Sequence, residues 1–138
     1  MGCHFGAWKI DLGKKVIISD NAPKALGTYS QGISAGKFIF TSGQIGIDPK
    51  TGEMRQGDFL TESRQVLNNI KAILEKSGSS LDLIVKLTVF MTDLTNFSDL
   101  NIIFEDFFNN NPPARSTIEV SALPMSARLE IEAIGIME

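Results

Sequence analysis

Arg115 follows Pro112-Pro113-Ala114 and enters a run with strand composition. Its planar guanidinium is either a rim charge or an anion clamp, and the fork suits a carboxylate through two parallel hydrogen bonds. Glu130-Ile131-Glu132 places two carboxylates at i and i+2, on one face of a strand. Either both meet solvent, or one lies at a subunit seam and takes a proton from water. Tyr29, the single tyrosine, lies on a loop between Gly27 and Gly32, where a phenol either packs or orients a small polar ligand. In Ser42-Gly43-Gln44 the glycine is a plain turn residue, or it lets a ligand approach backbone N–H groups that hold an anion. Asn101 belongs to an amphipathic helical stretch and reads as exposed or locally bonded. Taken together, these residues permit an Arg-anchored carboxylate beside a Glu-activated water.

Composition removes several alternatives. The only histidine is His4, close to the N-terminus, and any Ser-His-Asp triad, paired-histidine ribonuclease or multi-histidine metal site would have to use it. The only cysteine is Cys3, so no intrachain disulfide or zinc pattern is expected and a reducing compartment is the simplest reading. Lys+Arg is 13 against Asp+Glu 16, a net charge of −3, which argues against a nucleic-acid partner. No apolar run is long enough for a membrane span, and the start lacks the apolar core of a signal peptide. Met1-Gly2-Cys3 hints at N-acylation, but Gly6 stands where the myristoylation pattern wants Ser or Thr.

The 138 residues fit one domain, read as 15–138, preceded by an aperiodic extension over residues 1–14. Val16-Ile17-Ile18 has strand composition. Gln31–Ala35 and Lys37–Ser42 read as a hairpin about Gly36, and Asp48-Pro49-Lys50-Thr51-Gly52 as a turn. Residues 59–77 form a helix with Val66, Ile70, Ile73 and Leu74 on one face and Glu62, Arg64, Lys71 and Glu75 elsewhere; Asp58 or Thr61 caps it and Gly78 ends it. Ile84–Met91 is a strand. A second helix carries Phe97, Leu100, Ile103, Phe104, Phe107 and Phe108 as core and stops before Pro112-Pro113. Arg115–Val120 and Arg128–Met137 are the last strands. The order β-β-β-α-β-α-β-β is α+β, a mixed sheet with two helices on one face. The apolar residues Val85, Leu87, Val89, Ile118, Val120, Ile131 and Ile134 are too many for a solvated second face, so association through the sheet is expected.

Seven motifs then stand in register over residues 16–136: Asn21-Ala22-Pro23, Gly27-Thr28-Tyr29-Ser30-Gln31, Phe40-Thr41-Ser42-Gly43-Gln44-Ile45, Asp48-Pro49-Lys50-Thr51-Gly52, Val89-Phe90-Met91-Thr92-Asp93-Leu94, Pro113-Ala114-Arg115-Ser116 and Glu130-Ile131-Glu132-Ala133. In these the chain resembles the YjgF/RidA family of reactive-intermediate (enamine/imine) deaminases, also named L-PSP endoribonucleases. The resemblance implies a chorismate-mutase-like α+β fold, a homotrimer with ligand clefts between subunits, and no cofactor or metal. It implies that Arg115 grips the substrate carboxylate and that Glu130 positions or activates water. Tyr29, Ser42 and Gly43 would line the cleft, with Asn101 near it. Many members carry cysteine where this chain has Thr117. A backbone N–H contact at that position survives the change, whereas thiol modification or redox activation does not.

The activity so implied is hydrolysis of 2-imino acids, such as 2-iminobutanoate and 2-iminopropanoate, to 2-oxo acids and ammonia. Its functional link would be to pyridoxal-phosphate-dependent serine and threonine dehydratases, which generate the imines. The expected compartment is the cytoplasm, or the mitochondrion in a eukaryote. The alternatives are a regulatory protein that binds a small 2-oxo acid without turnover, and an endoribonuclease or translation inhibitor.

Overall fold

The structure, a computed structural model, describes residues 13–138. His4, Cys3 and the acylation signal lie outside the described residues.

Eight strands and two helices follow one another as β1 (Lys15–Ile17), β2 (Gly32–Ala35), β3 (Phe38–Thr41), β4 (Ile47–Asp48), β5 (Glu53–Met54), α1 (Phe59–Lys76), β6 (Ile84–Met91), α2 (Phe97–Phe107), β7 (Ala114–Glu119) and β8 (Leu129–Ile136). Six strands make one sheet in the order β1-β2-β3-β8-β6-β7. All neighbours are antiparallel except β6 and β7, which α2 connects as a crossover. The expected α+β architecture is therefore present. The one addition is the β4–β5 pair, which closes over the Asp48–Gly52 turn; there the Gly52 N–H donates to the Asp48 carbonyl at 2.8 Å.

Local chemistry explains the boundaries. Gly36, at φ 59°, supplies the left-handed residue of the two-residue β2–β3 turn. Asp58 caps α1 by accepting from the Thr61 N–H at 2.9 Å, and Gly78, at φ 88°, follows its end. Asp93 accepts from the Thr95 N–H and starts the turn that leads into α2.

The core lies between the helices and one sheet face. Val66, Leu67, Ile70, Ile73 and Leu74 of α1 and Leu100 and Ile103 of α2 meet Ile39, Leu87, Val89, Met91, Leu129 and Ile131, all fully or almost fully buried. Two expectations need correction. Glu62 does not sit on the polar side of α1: it is 4% exposed and ion-paired, because the first turn of the helix tucks under the start of β8. Phe97 is 40% exposed and outside the core, because α2 begins at the rim of the sheet.

The opposite sheet face carries no helix. Strand alternation turns Phe38, Phe40 and Ile118 outward, 42–48% exposed, together with the half-buried Phe90 and Ile134. Leu87, Val89 and Ile131 point to the helices instead, so the aromatic residues of β3, rather than those three, make this face apolar. Among the described residues no helix is long and apolar enough to cross a membrane.

Candidate functional site

Glu130 stands on the helix-free face, paired across the sheet with Phe90. Burial pushes its pKa above the usual carboxylate value, and the neighbouring charge of Glu132 adds to the rise. Its carboxylate lies against Gly43, where a Cβ would fall 2.7 Å from Glu130 Cδ. Glu130, Gly43, Ser42 and Tyr29 line one cavity of about 490 Å³, with Lys24 and Met125 at its edge.

Two buried amides and the half-buried Ser42 hydroxyl build that cavity. Gln31 holds the Ser19–Pro23 loop: its amide oxygen accepts from the Ser19 N–H at 2.7 Å, and its amide nitrogen donates to the carbonyls of Ser19, Ala22 and Pro23. The Ser42 hydroxyl donates to the Ser30 carbonyl, and the Ser42 N–H donates to the Gln31 carbonyl at 2.8 Å. Ser42 thus fixes the loop that carries Tyr29. Asn69, fully buried on α1, donates to the carbonyls of Ile45 and Ile47 and holds the segment after Gly43. Among the described residues the Gly43 N–H meets no acceptor, so it remains available beside Glu130.

Arg115 sits elsewhere. It pairs with Leu87 at the β7 edge, and its guanidinium stacks 5.3 Å from the Phe97 ring centroid and 5.0 Å from that of Phe104. Partial burial lowers its pKa, but an arginine stays charged at any physiological pH. Among the described residues it makes no ion pair, so its donors are free to receive an anion. It lines a second cavity of about 490 Å³ with Asn101, Phe108 and Pro113. The register puts Arg115 two strands and three residues from Glu130, about 14 Å between Cα atoms, and on the other sheet face.

Within one chain the candidate residues therefore form two groups: Tyr29, Ser42, Gly43 and Glu130 on one side, Arg115 and Asn101 on the other. Thr117 lines neither cavity. It lies opposite Val89, and its buried hydroxyl oxygen has no hydrogen-bond partner among the described residues. Sequence reasoning passed over Glu62, Asn69 and Arg128, which hold the site from behind. Polar residues on the apolar side of α1 were the available signal, and Asn69, between Val66 and Ile70, is the clearest instance. Among the described residues no group of three or more His, Cys, Asp or Glu gathers as a metal site.

This arrangement has known relatives. Residues 19–137 match the profile of the family described as endoribonuclease L-PSP. The chain is 50% identical over 125 residues to a RutC family protein of Pyrococcus horikoshii, covering 91% of this chain and 99% of the relative. It is 47% identical over 125 residues to a protein of Escherichia coli named 2-iminobutanoate/2-iminopropanoate deaminase, covering 88% and 97%. The crystal structure of Escherichia coli TdcF with bound serine superposes with a TM-score of 0.86 at 42% identity, covering 90% of this chain and 99% of that one. With the family profile matching residues 19–137 and these relatives in agreement, the chain belongs to the endoribonuclease L-PSP family, that of the RutC and YjgF/RidA proteins.

Proposed function

We propose that the protein hydrolyses small 2-imino acids to 2-oxo acids and ammonia. The observation that carries this reading is Arg115: a partly buried guanidinium, stacked on two phenyl rings and without an ion pair, is poised for a carboxylate. The imine carbon is already electrophilic, so the protein has to hold the carboxylate, place a water and move its protons. Glu130 takes a proton as water oxygen bonds to the imine carbon. It returns that proton to nitrogen, giving the carbinolamine, then takes the hydroxyl proton and passes it to the same nitrogen; the C–N bond breaks and ammonia leaves as the carbonyl forms. The free Gly43 N–H and the Tyr29 hydroxyl are the donors beside the reacting atoms.

On this reading the two groups meet between copies of the chain, in a homotrimer. The apolar face with Phe38, Phe40 and Ile118 is the surface that association covers, and a cleft at the seam unites one copy's Arg115 and Asn101 with its neighbour's Glu130, Gly43 and Tyr29. The substrates are 2-iminobutanoate, 2-iminopropanoate and their enamine tautomers, supplied by pyridoxal-phosphate-dependent dehydratases. Support comes from the relative named as a deaminase of these two compounds and from the structural neighbour solved with serine, a small carboxylate. Ammonia release from dehydratase-generated 2-iminobutanoate tests the reading. Acceleration that disappears in Arg115→Ala supports it; equal rates with and without the protein overturn it. A 2-oxo acid that binds by calorimetry without any acceleration would favour a regulatory binding protein instead.

A further inference from the structure

We propose that Glu62, acting through Arg128, is a positioning residue for Glu130. The inference rests on the reading of Glu130 as the group that activates water. Glu62 is 4% exposed, and both its oxygens are engaged at the start of β8: one accepts from the Arg128 N–H at 2.7 Å, the other from Arg128 Nε at 2.6 Å. Arg128 Nη2 also donates to the Gly57 carbonyl at 2.8 Å, which ties the approach to α1 into the same knot. Glu130 is two residues further on. Behind it, the Arg128 carbonyl accepts from the Thr92 N–H; ahead of it, Ile131 exchanges both backbone hydrogen bonds with Gln44. The Glu62 carboxylate, with the Arg128–Gly57 contact beside it, fixes the near end of this short span.

Two further observations point the same way. Met125 and Ser126 both adopt left-handed backbone, at φ 55° and 56°, although neither is glycine. This strained turn lines the Glu130 cavity and is followed within two residues by the Arg128 anchor, which keeps it from relaxing along the chain. Between Ile45 and Ile47, which line the same cavity, a Cβ at Gly46 would lie 2.9 Å from Glu62 Cγ and 3.2 Å from the Glu62 carbonyl oxygen. Glu62 therefore packs against the segment after Gly43 and anchors the segment before Glu130, and both segments line the one cavity. The exposed Arg64–Asp106 pair, two residues further along α1, reaches neither side.

The charged and titratable groups around Glu130 are Glu132 on β8, Lys86 on β6, and Lys24 and Tyr29 in the cavity. Glu62→Gln also leaves the Arg128 cation unpaired two residues from Glu130, whereas Arg128→Lys keeps both charges, so a shift in the Glu130 titration that Arg128→Lys shares reports its position and its access to water.

The test measures kcat, KM and the pH dependence of kcat for Glu62→Gln, Arg128→Lys, Glu130→Gln and the control Arg64→Ala, with melting temperature and assembly state alongside. In Glu62→Gln, kcat falls about tenfold with KM within a factor of two, as expected when a reacting group is displaced by part of an ångström. The acid limb of its profile moves to lower pH as water reaches Glu130 and the Arg128 cation loses its partner. Arg128→Lys keeps a cation opposite Glu62 and loses the Gly57 contact, so it falls between wild type and Glu62→Gln; it carries the test if Glu62→Gln does not fold. Arg64→Ala matches wild type. A wild-type kcat and acid limb in both Glu62→Gln and Arg128→Lys, with only the melting temperature lowered, overturns the inference while an inactive Glu130→Gln leaves the water-activating reading standing. A fully active Glu130→Gln overturns that reading itself.

Discussion

Gly43 and Glu130 adjoin so closely that no methyl group fits between them: a Cβ built on Gly43 would lie 2.7 Å from Glu130 Cδ and 3.0 Å from its Cγ. The glycine is thus matched to the carboxylate, and among the described residues its N–H has no acceptor. Gly43→Ala is expected to displace the far end of a flexible side chain rather than backbone. The fold should tolerate it, with a stability change of about 1 kcal/mol or less, while kcat/KM for imine hydrolysis drops roughly tenfold to a hundredfold. Paired thermal melts and ammonia-release kinetics check this; unchanged kinetics would detach Gly43 from the site.

Arg115→Ala should lower kcat/KM by roughly 10²- to 10⁴-fold, the equivalent of two charge-assisted hydrogen bonds at about 1.5–3 kcal/mol each. Assembly should persist, because among the described residues the guanidinium makes no ion pair. Light scattering on the variant separates loss of the clamp from loss of the oligomer.

Glu130→Gln should lower kcat by about 10²- to 10⁴-fold, the range of a lost general base. In the wild type the pH profile carries the sign. Burial and the Glu132 charge raise the Glu130 pKa, and the reaction needs the ionised form, so activity is present above that pKa and is lost as pH falls through it. The acid limb therefore lies at higher pH than an ordinary glutamate would give. In Glu132→Gln it should move down, because one of the two causes is removed.

Thr117 offers a test with opposite signs. Its buried hydroxyl has no partner among the described residues, so Thr117→Val should stabilise the unliganded protein by about 1 kcal/mol. If the hydroxyl turns to a ligand or a neighbouring copy, the same variant binds 2-oxobutanoate more weakly. Calorimetric titration and melts of the two proteins read both effects.

Phe40→Glu places a charge on the uncovered apolar face, beside Phe38 at 6.3 Å between ring centroids. It should leave the chain folded but dissociate the assembly in sedimentation, and activity should disappear with the oligomer because Arg115 and Glu130 then stay on separate faces. An active monomer would refute a site shared between copies.

Much of the fold was legible because periodicity reports burial. The α1 stripe of Val66, Ile70, Ile73 and Leu74 is the buried face, and Asp58 and Gly78 mark its limits. The hairpin about Gly36 and the turn at Asp48–Gly52 were equally plain, since each depends on residues with special backbone freedom. Glu62 was misread because a carboxylate on a helix counts as solvent-facing until a partner is known, and that partner, Arg128, is 66 residues away. Phe97 was misread because helical spacing assigns a face but does not say where the sheet beneath it ends.

The sequence by itself determined which residue types are available for chemistry, one arginine after a double proline and two alternating glutamates, and the strand and helix pattern that carries them. Those are local properties, set by residue identity and spacing. Only the tertiary structure decided that Arg115 and Glu130 project from opposite faces about 14 Å apart, that Gly43 makes room for Glu130, and that Glu62 holds the strand end from behind. Strand order and long-range pairing set these relationships, and neither is written in the spacing of nearby residues.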